Sequence, residues 1–315
     1  MRAASVLAPL AALATPVLLA SCVPGPHAAS LVHATATSAH AGTARVLFDD
    51  SKAETAGNAD WIISTAMPDP TAENPHPSSE TDWTGALSAW GVSLQQTGAY
   101  RLATLPPSGR ITYGDSSNPQ DLAEYDVFVL PEPNVLFTTA QKTAILSFVE
   151  NGGGLFMISD HTGSDRNDDG ADSVEVLNDV MGSGDPFGFS IDSADIPSDN
   201  PDVLGSSDEI LNGPFGAVTG TIIRDGTTAT LHPADNSAVK GEVFRTGASA
   251  SGPLGAAVAS SQYGFGRVVF WGDSSAVDDG TGQSGNTLYD GWDDAGGSDG
   301  VLALNATAWL AGSSA

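Results

Sequence analysis

Residues 124–161 read EYDVFVLPEPNVLFTTAQKTAILSFVENGGGLFMISDH, and no other stretch constrains the fold as tightly. "YDVFVL" is a continuous apolar run, the pattern of a strand buried on both faces of a parallel sheet. It stops at Pro131-Glu132-Pro133. Thr138 and Gln141 then stand at the spacing of a capping box, and Ala144, Ile145, Phe148 and Val149 form the apolar stripe of a helix. Asn151-Gly152 supplies a left-handed exit, and "GLFMISDH" is a second buried strand. Strand, helix and strand in this order make a βαβ unit with a right-handed crossover.

The rest of the chain agrees with an α/β layer structure. "ARVLFDDS" is a short apolar strand that ends abruptly in acids. "TDWTGALSAWGVSLQQTG" reads as a helix with Trp83, Leu87 and Trp90 on one face, followed by a strand. "DSVEVLNDVMG" carries Val174, Leu177 and Met181 at helical spacing. Residues 186–250 alternate short β-like pieces ("FGFSI", "VTGTIIR", "TATLH", "GEVFRTG") with Gly, Pro, Asp and Ser turns, and read as a β-rich insertion. "GAAVASSQYGFGRVVFWGDSS" returns with two strands around a Tyr-Gly-Phe-Gly turn. A last helix, "VLALNATAWLAG", packs through Leu304, Trp309 and Leu310 and ends at Gly312. The expectation is a flavodoxin-like, doubly wound, mostly parallel sheet formed by residues 43–185 and 251–315, with an inserted β-rich lobe at 186–250.

The N-terminus indicates export. Arg2, an apolar run and a small-residue end over residues 1–21 read as a secretory signal peptide. Leu19-Ala20-Ser21-Cys22 resembles a bacterial lipobox, in which the cysteine becomes the first mature residue and carries lipid. Several acyl chains on Cys22 would hold the protein to the bilayer on the extracytoplasmic side of the cell envelope. Residues 22–42 are rich in Ala, Ser, Thr, Pro and Gly and read as a flexible tether. Cys22 is the single cysteine, so no intramolecular disulfide can form and the core must hold the fold. Formal net charge is −27, which excludes nucleic acid as a partner by repulsion. The acid excess fits either cation binding or plain solvation of the surface.

The order "VLFDDS", "YDVFVL", "FVENGGGLFMISDH", "GFGRVVFWGDSS" and terminal helix resembles the class I glutamine amidotransferase-like superfamily, in particular its ThuA-like and uncharacterised secreted branches. The resemblance covers residues 44–182 and 255–312 and implies the fold. The activity does not follow. The family's amidotransferases place a cysteine at the elbow after the second buried strand, where this chain has Ser159-Asp160-His161-Thr162-Gly163. Glutamine hydrolysis by a cysteine nucleophile is therefore ruled out.

In an open parallel sheet, ligands bind outside the carboxyl ends of the strands. The residues expected there are Asp49, Asp50 and Ser51, then Glu132 and Asn134, then Asp160 and His161, then Asp273, Ser274 and Ser275. Carboxylates so gathered repel unless a cation or a basic residue compensates, and only Lys52 and Arg166 lie near in sequence. One reading is a divalent cation, calcium in the first instance, held by Asp49, Asp160, His161, Asp165 and Asp273. The plain reading is that strand-end acids are turn formers. Asp165-x-Asn167-x-Asp169-Gly170 matches the first half of an EF-hand loop, but Val176 stands where the bidentate Glu should be. Asp172 and Glu175 are explained as well by helix capping. The acidic segment 272–300 reads either as an ion-ordered or sugar-binding rim that uses Tyr289 and Trp292, or as a solvated loop.

Three functions follow as expectations. The first is metal-assisted hydrolysis of carbohydrate or another extracellular polymer, with His161 as general base; a metal-bound imidazole cannot also take the proton, so the two roles for His161 exclude each other. The second is a non-catalytic, calcium-stabilised surface binding module. The third is a serine esterase built on Ser274, His161 and Asp160, suggested by Gly272-Asp273-Ser274.

Overall fold

A computed structural model describes residues 43–286 and 289–312. The expected signal peptide, Cys22 and the expected tether lie outside the described residues. Ten strands form one sheet: β1 (Ala44–Asp49), β2 (Tyr100–Leu105), β3 (Val127–Pro131), β4 (Gly154–Ile158), β5 (Phe189–Ile191), β6 (Val203–Leu204), β7 (Ala229–Leu231), β8 (Lys240–Phe244), β9 (Ala256–Tyr263) and β10 (Gly266–Trp271). The helices are α1 (Ser88–Thr97), α2 (Thr139–Glu150), α3 (Ser173–Met181), α4 (Asp208–Leu211) and α5 (Asp299–Leu310).

The sheet runs β2-β1-β3-β4-β10-β9-β7-β5, with β8 also on β9 and β6 on β8. From β2 to β10 every pairing is parallel, and from β10 onward every pairing is antiparallel. The β-rich insertion supplies β5 to β8, which extend the central sheet as an antiparallel flank.

Alternation along the buried strands divides the core in two. Val46, Phe48, Val129, Phe156, Ile158, Val269 and Trp271 face a layer that holds Trp90 of α1 and Trp309 of α5. Leu47, Phe128, Leu130, Leu155, Met157 and Phe270 face Ile145 and Phe148 of α2 and Leu177 of α3. The first layer carries a chain of rings: Phe48 meets Trp90 edge-on at 5.2 Å, Trp90 meets Phe156 at 5.2 Å, and Phe156 stacks on Trp271 at 6.4 Å.

Local signals set the helix ends. Thr138 and Gln141 close a full capping box on α2, and Asp172 caps α3 by accepting the N–H of Glu175 at 2.8 Å. The first helix differs from expectation: it begins at Ser88, so Trp83 packs into the core from the preceding loop. The backbone N–H groups of Ala86 and Leu87 donate to the carbonyls of Asp60 and Ile62, at 2.9 and 3.1 Å, and a helix cannot start before they are released. "VTGTIIR" forms no strand; Ile223 makes one isolated bridge to Asp199, and the next N–H, of Arg224, is drawn to the Asp273 carboxylate.

Candidate functional site

The β1 connection places α1 on one face of the sheet, and the β3 connection places α2 on the other, so the chain diverges between these two neighbouring strands. That divergence is the topological switch point where α/β folds open a binding crevice. Because β1, β3, β4 and β10 are adjacent and parallel, Asp49, Glu132, Asp160 and Asp273 arrive at one edge.

Glu132 is the centre of that edge. It is fully buried and adopts φ 51°, a left-handed conformation that costs a non-glycine residue energy. Its carboxylate accepts from Arg166 Nε at 2.5 Å and Ser164 Oγ at 3.0 Å on Oε1, and from Ser274 Oγ at 2.6 Å on Oε2. Asp160 stands against the same two side chains: its Oδ2 accepts from Arg166 Nη2 at 2.7 Å and lies 2.8 Å from Ser164 Oγ, whose single proton serves one of the two carboxyls at a time. Asn134 braces the assembly by accepting the Arg166 N–H at 2.8 Å and donating to the Glu132 carbonyl at 2.9 Å. Burial pushes Asp160 well above the usual carboxylate range, and neighbouring Glu132 and Asp273 push it further; Arg166 and Ser164 oppose them.

A second group sits at the end of β1. Asp49, Asp50 and Glu54 are buried, and Asp49 Oδ2, Asp50 Oδ1 and Glu54 Oε1 receive no donor. The Asp49 and Glu54 carboxyls lie in mutual hydrogen-bond contact, and burial together with Asp49 raises Glu54 well above its ordinary value. One proton on Glu54, donated to Asp49, therefore satisfies both groups. Burial, Asp49 and Asp60 hold Asp50 at about 7. Lys52 does not neutralise these acids by direct hydrogen bonding: its ammonium donates to Gln141 Oε1 at 3.1 Å and lies 4.7 Å from the Phe137 ring centre.

The five residues expected to hold a cation have separate engagements. Both Asp273 oxygens accept backbone N–H groups, from Arg224 and, at 2.7 Å, from Ser275, while burial raises this carboxyl to about 7. Asp165 accepts the N–H groups of Asp169 and Gly170 at 3.2 and 2.7 Å, as an EF-hand-like turn does, but within its own loop. The His161 ring pairs through Nδ1 with the Thr162 carbonyl at 3.0 Å, and Asp160 binds the His161 backbone N–H at 2.8 Å rather than its ring. Ser274 thus addresses Glu132, and the Ser274–His161–Asp160 relay is not assembled. Among the described residues, the group of His, Cys, Asp or Glu whose ligand atoms all lie within 4.8 Å of one another is Asp185, His232 and Asp235, on the antiparallel flank.

The acidic rim turns inward. Trp292 is 7% exposed and donates to Glu80 Oε1 at 3.2 Å, so it offers no stacking face, while Tyr289 remains partly exposed and donates to Asp294 at 2.6 Å. Asp279 Oδ2 accepts the Ala89 N–H at 2.6 Å and so caps α1, whose own preceding residue, Leu87, makes no side-chain cap. Sequence reasoning named Glu132 as a strand-end acid but not as the hub, and it missed Glu54 and Asp60. The available signal was Arg166, the one arginine in the elbow loop.

No known protein family and no curated protein matches the chain. Solved structures do align with it. The mmIFT52 N-terminal domain superposes with a TM-score of 0.52 at 13% identity, over 84% of this chain and 97% of that one. ThuA-like proteins from Parabacteroides merdae and Bacteroides uniformis align at TM-scores of 0.44 and 0.43, with 12% and 15% identity, over 86% and 85% of this chain and 90% and 91% of theirs. At 13% identity the likeness to the mmIFT52 domain concerns architecture alone, and the flavodoxin-like α/β fold is read from the parallel order β2-β1-β3-β4-β10 of the sheet itself.

Proposed function

We propose that this protein is an exported, lipid-anchored binding module with an amidotransferase-like fold, which holds an extracellular polymer such as a carbohydrate without cleaving it. One observation carries the reading. At the carboxyl edge both oxygens of Glu132 are consumed in a buried network with Arg166, Ser164 and Ser274, so Glu132 is not free as a base and the Ser274 hydroxyl is not free as a nucleophile. The esterase reading needs Ser274 paired with the His161 ring, whereas Ser274 Oγ donates to Glu132 at 2.6 Å and the ring is tied through Nδ1 to the Thr162 carbonyl at 3.0 Å.

The test is to incubate the full chain with extracellular polysaccharides and to measure retention and released product together. Retention without product is expected. Turnover that disappears in His161→Ala, or fluorophosphonate labelling that disappears in Ser274→Ala, would overturn it. Loss of membrane association in Cys22→Ala tests the anchor separately.

A second reading keeps a calcium ion at the end of β1. It is favoured by Asp49 Oδ2, Asp50 Oδ1 and Glu54 Oε1, three buried oxygens without a donor, where a cation would replace the shared proton. Calcium that raises the melting temperature of wild type but not of Asp49→Asn supports it; no shift in wild type sinks it.

A further inference from the structure

We propose that Asp185, His232 and Asp235 form a binding site for a first-row divalent transition metal of the zinc type at the outer end of the antiparallel flank. The inference is independent of the carboxyl edge. One ligand atom from each residue lies within 4.8 Å of the other two, so small side-chain movements would bring all three onto one ion.

The backbone already holds the ligands together. Asp185 precedes β5, and its carboxylate accepts the Phe189 N–H at 3.0 Å on Oδ1, which leaves Oδ2 turned towards His232 at 4.0 Å from Nε2. His232 directly follows β7, and its N–H donates to the Gly188 carbonyl at 2.7 Å, so the two ligand-bearing loops are tied across the β5–β7 pair. Asp235 N–H donates to the His232 carbonyl at 2.9 Å and closes the turn that presents the third ligand. The Ser190 hydroxyl lies 2.9 Å from the same Nε2, so it gives up this hydrogen bond when the nitrogen turns to an ion.

Ligand chemistry selects the ion. Calcium and magnesium take oxygen ligands, whereas one imidazole nitrogen with two carboxylates suits zinc and its first-row neighbours. Asp235 and Asp185 repel one another, and within 4.0 Å the charged partner of Asp185 is His232, which is cationic only when protonated. A divalent ion would neutralise both carboxylates and leave the imidazole neutral. The site also has a mechanical use. β5 is a three-residue strand at the end of the sheet, and a chain with one cysteine has no disulfide with which to staple it.

The test strips the full chain with chelator and then restores zinc, calcium or magnesium. With zinc well above its dissociation constant, a rise in melting temperature of roughly 5 °C or more is expected, and calcium or magnesium should not reproduce it. His232→Ala should abolish the rise, and Asp235→Asn, at an exposed position expected to fold normally, should diminish it. Cobalt(II) gives a second readout: visible absorption in wild type, absent in His232→Ala. A zinc response that survives His232→Ala, or that is lost instead in Asp49→Asn, overturns the proposal. So does wild-type protein that binds neither zinc nor cobalt.

Discussion

Replacing Arg166 by methionine tests the buried network directly. The guanidinium donates to Glu132 and Asp160 at 2.5 and 2.7 Å, and these carboxylates are 0% and 3% exposed. Methionine keeps most of the apolar stem that passes the Trp61 ring but removes the positive charge. Breaking a buried pair by deleting one partner costs about 3–5 kcal/mol, because the other partner is left charged in a poor solvent. Arg166 keeps 20% of its side chain exposed, and water can partly replace the guanidinium, so the low end, about 3 kcal/mol, applies. For a chain of this size that corresponds to a fall in melting temperature of roughly 6–12 °C. In urea the midpoint should fall with an unchanged slope. Loss of the cation raises the folded-state pKa of Asp160 further, so the deficit should shrink as pH falls and that carboxyl is protonated with and without the guanidinium. Adding Glu132→Gln should recover part of the loss. A fall below 2 °C, or a deficit that ignores pH, would refute the reasoning.

Stability as a whole should fall as pH rises from 5 to 8. Burial, the largest cause in each case, holds Asp50, Asp273 and Asp278 at about 7, Asp279 at about 6 and Asp299 at about 8, so the folded state keeps protons that the unfolded chain releases near pH 4. This stability is complete below the unfolded value and is lost progressively as pH rises from there to the folded values of about 6–8; a higher melting temperature at pH 8 than at pH 5 would contradict it. Carboxylates held low by hydrogen bonds, such as Asp121 and Asp294, act only below the unfolded value and do not offset the trend. Thr138→Ala removes the α2 cap and should cost about 1 kcal/mol, read as a lower urea midpoint. Gly266→Ala should be far worse, with little soluble protein, because its methyl group would collide with the Val149 and Gly153 carbonyls. Normal expression of that variant would show that α2 and β10 can separate.

The layer structure was legible because its signals are local. Apolar runs, the Thr138–Gln141 spacing and the Asn151-Gly152 exit each depend on neighbours a few residues away, and each appears where the sequence puts it. The convergence of Asp49, Glu132, Asp160 and Asp273 was legible too, since it follows from strand ends in a parallel sheet.

Only the tertiary structure decided what those acids do there. Charge pairing is a matter of distances across loops: Arg166 could have faced solvent, and its position between Glu132 and Asp160 depends on Asn134 holding its backbone N–H at 2.8 Å. Likewise Asp279 caps a helix 190 residues earlier in the chain, and Glu54 bears on Asp49 only because the loop after β1 folds back beneath it. Periodicity records which face of an element is apolar. It carries no record of which polar groups meet when the elements close together, because hydrogen bonds and Coulomb forces act over a few ångströms of space, not of sequence.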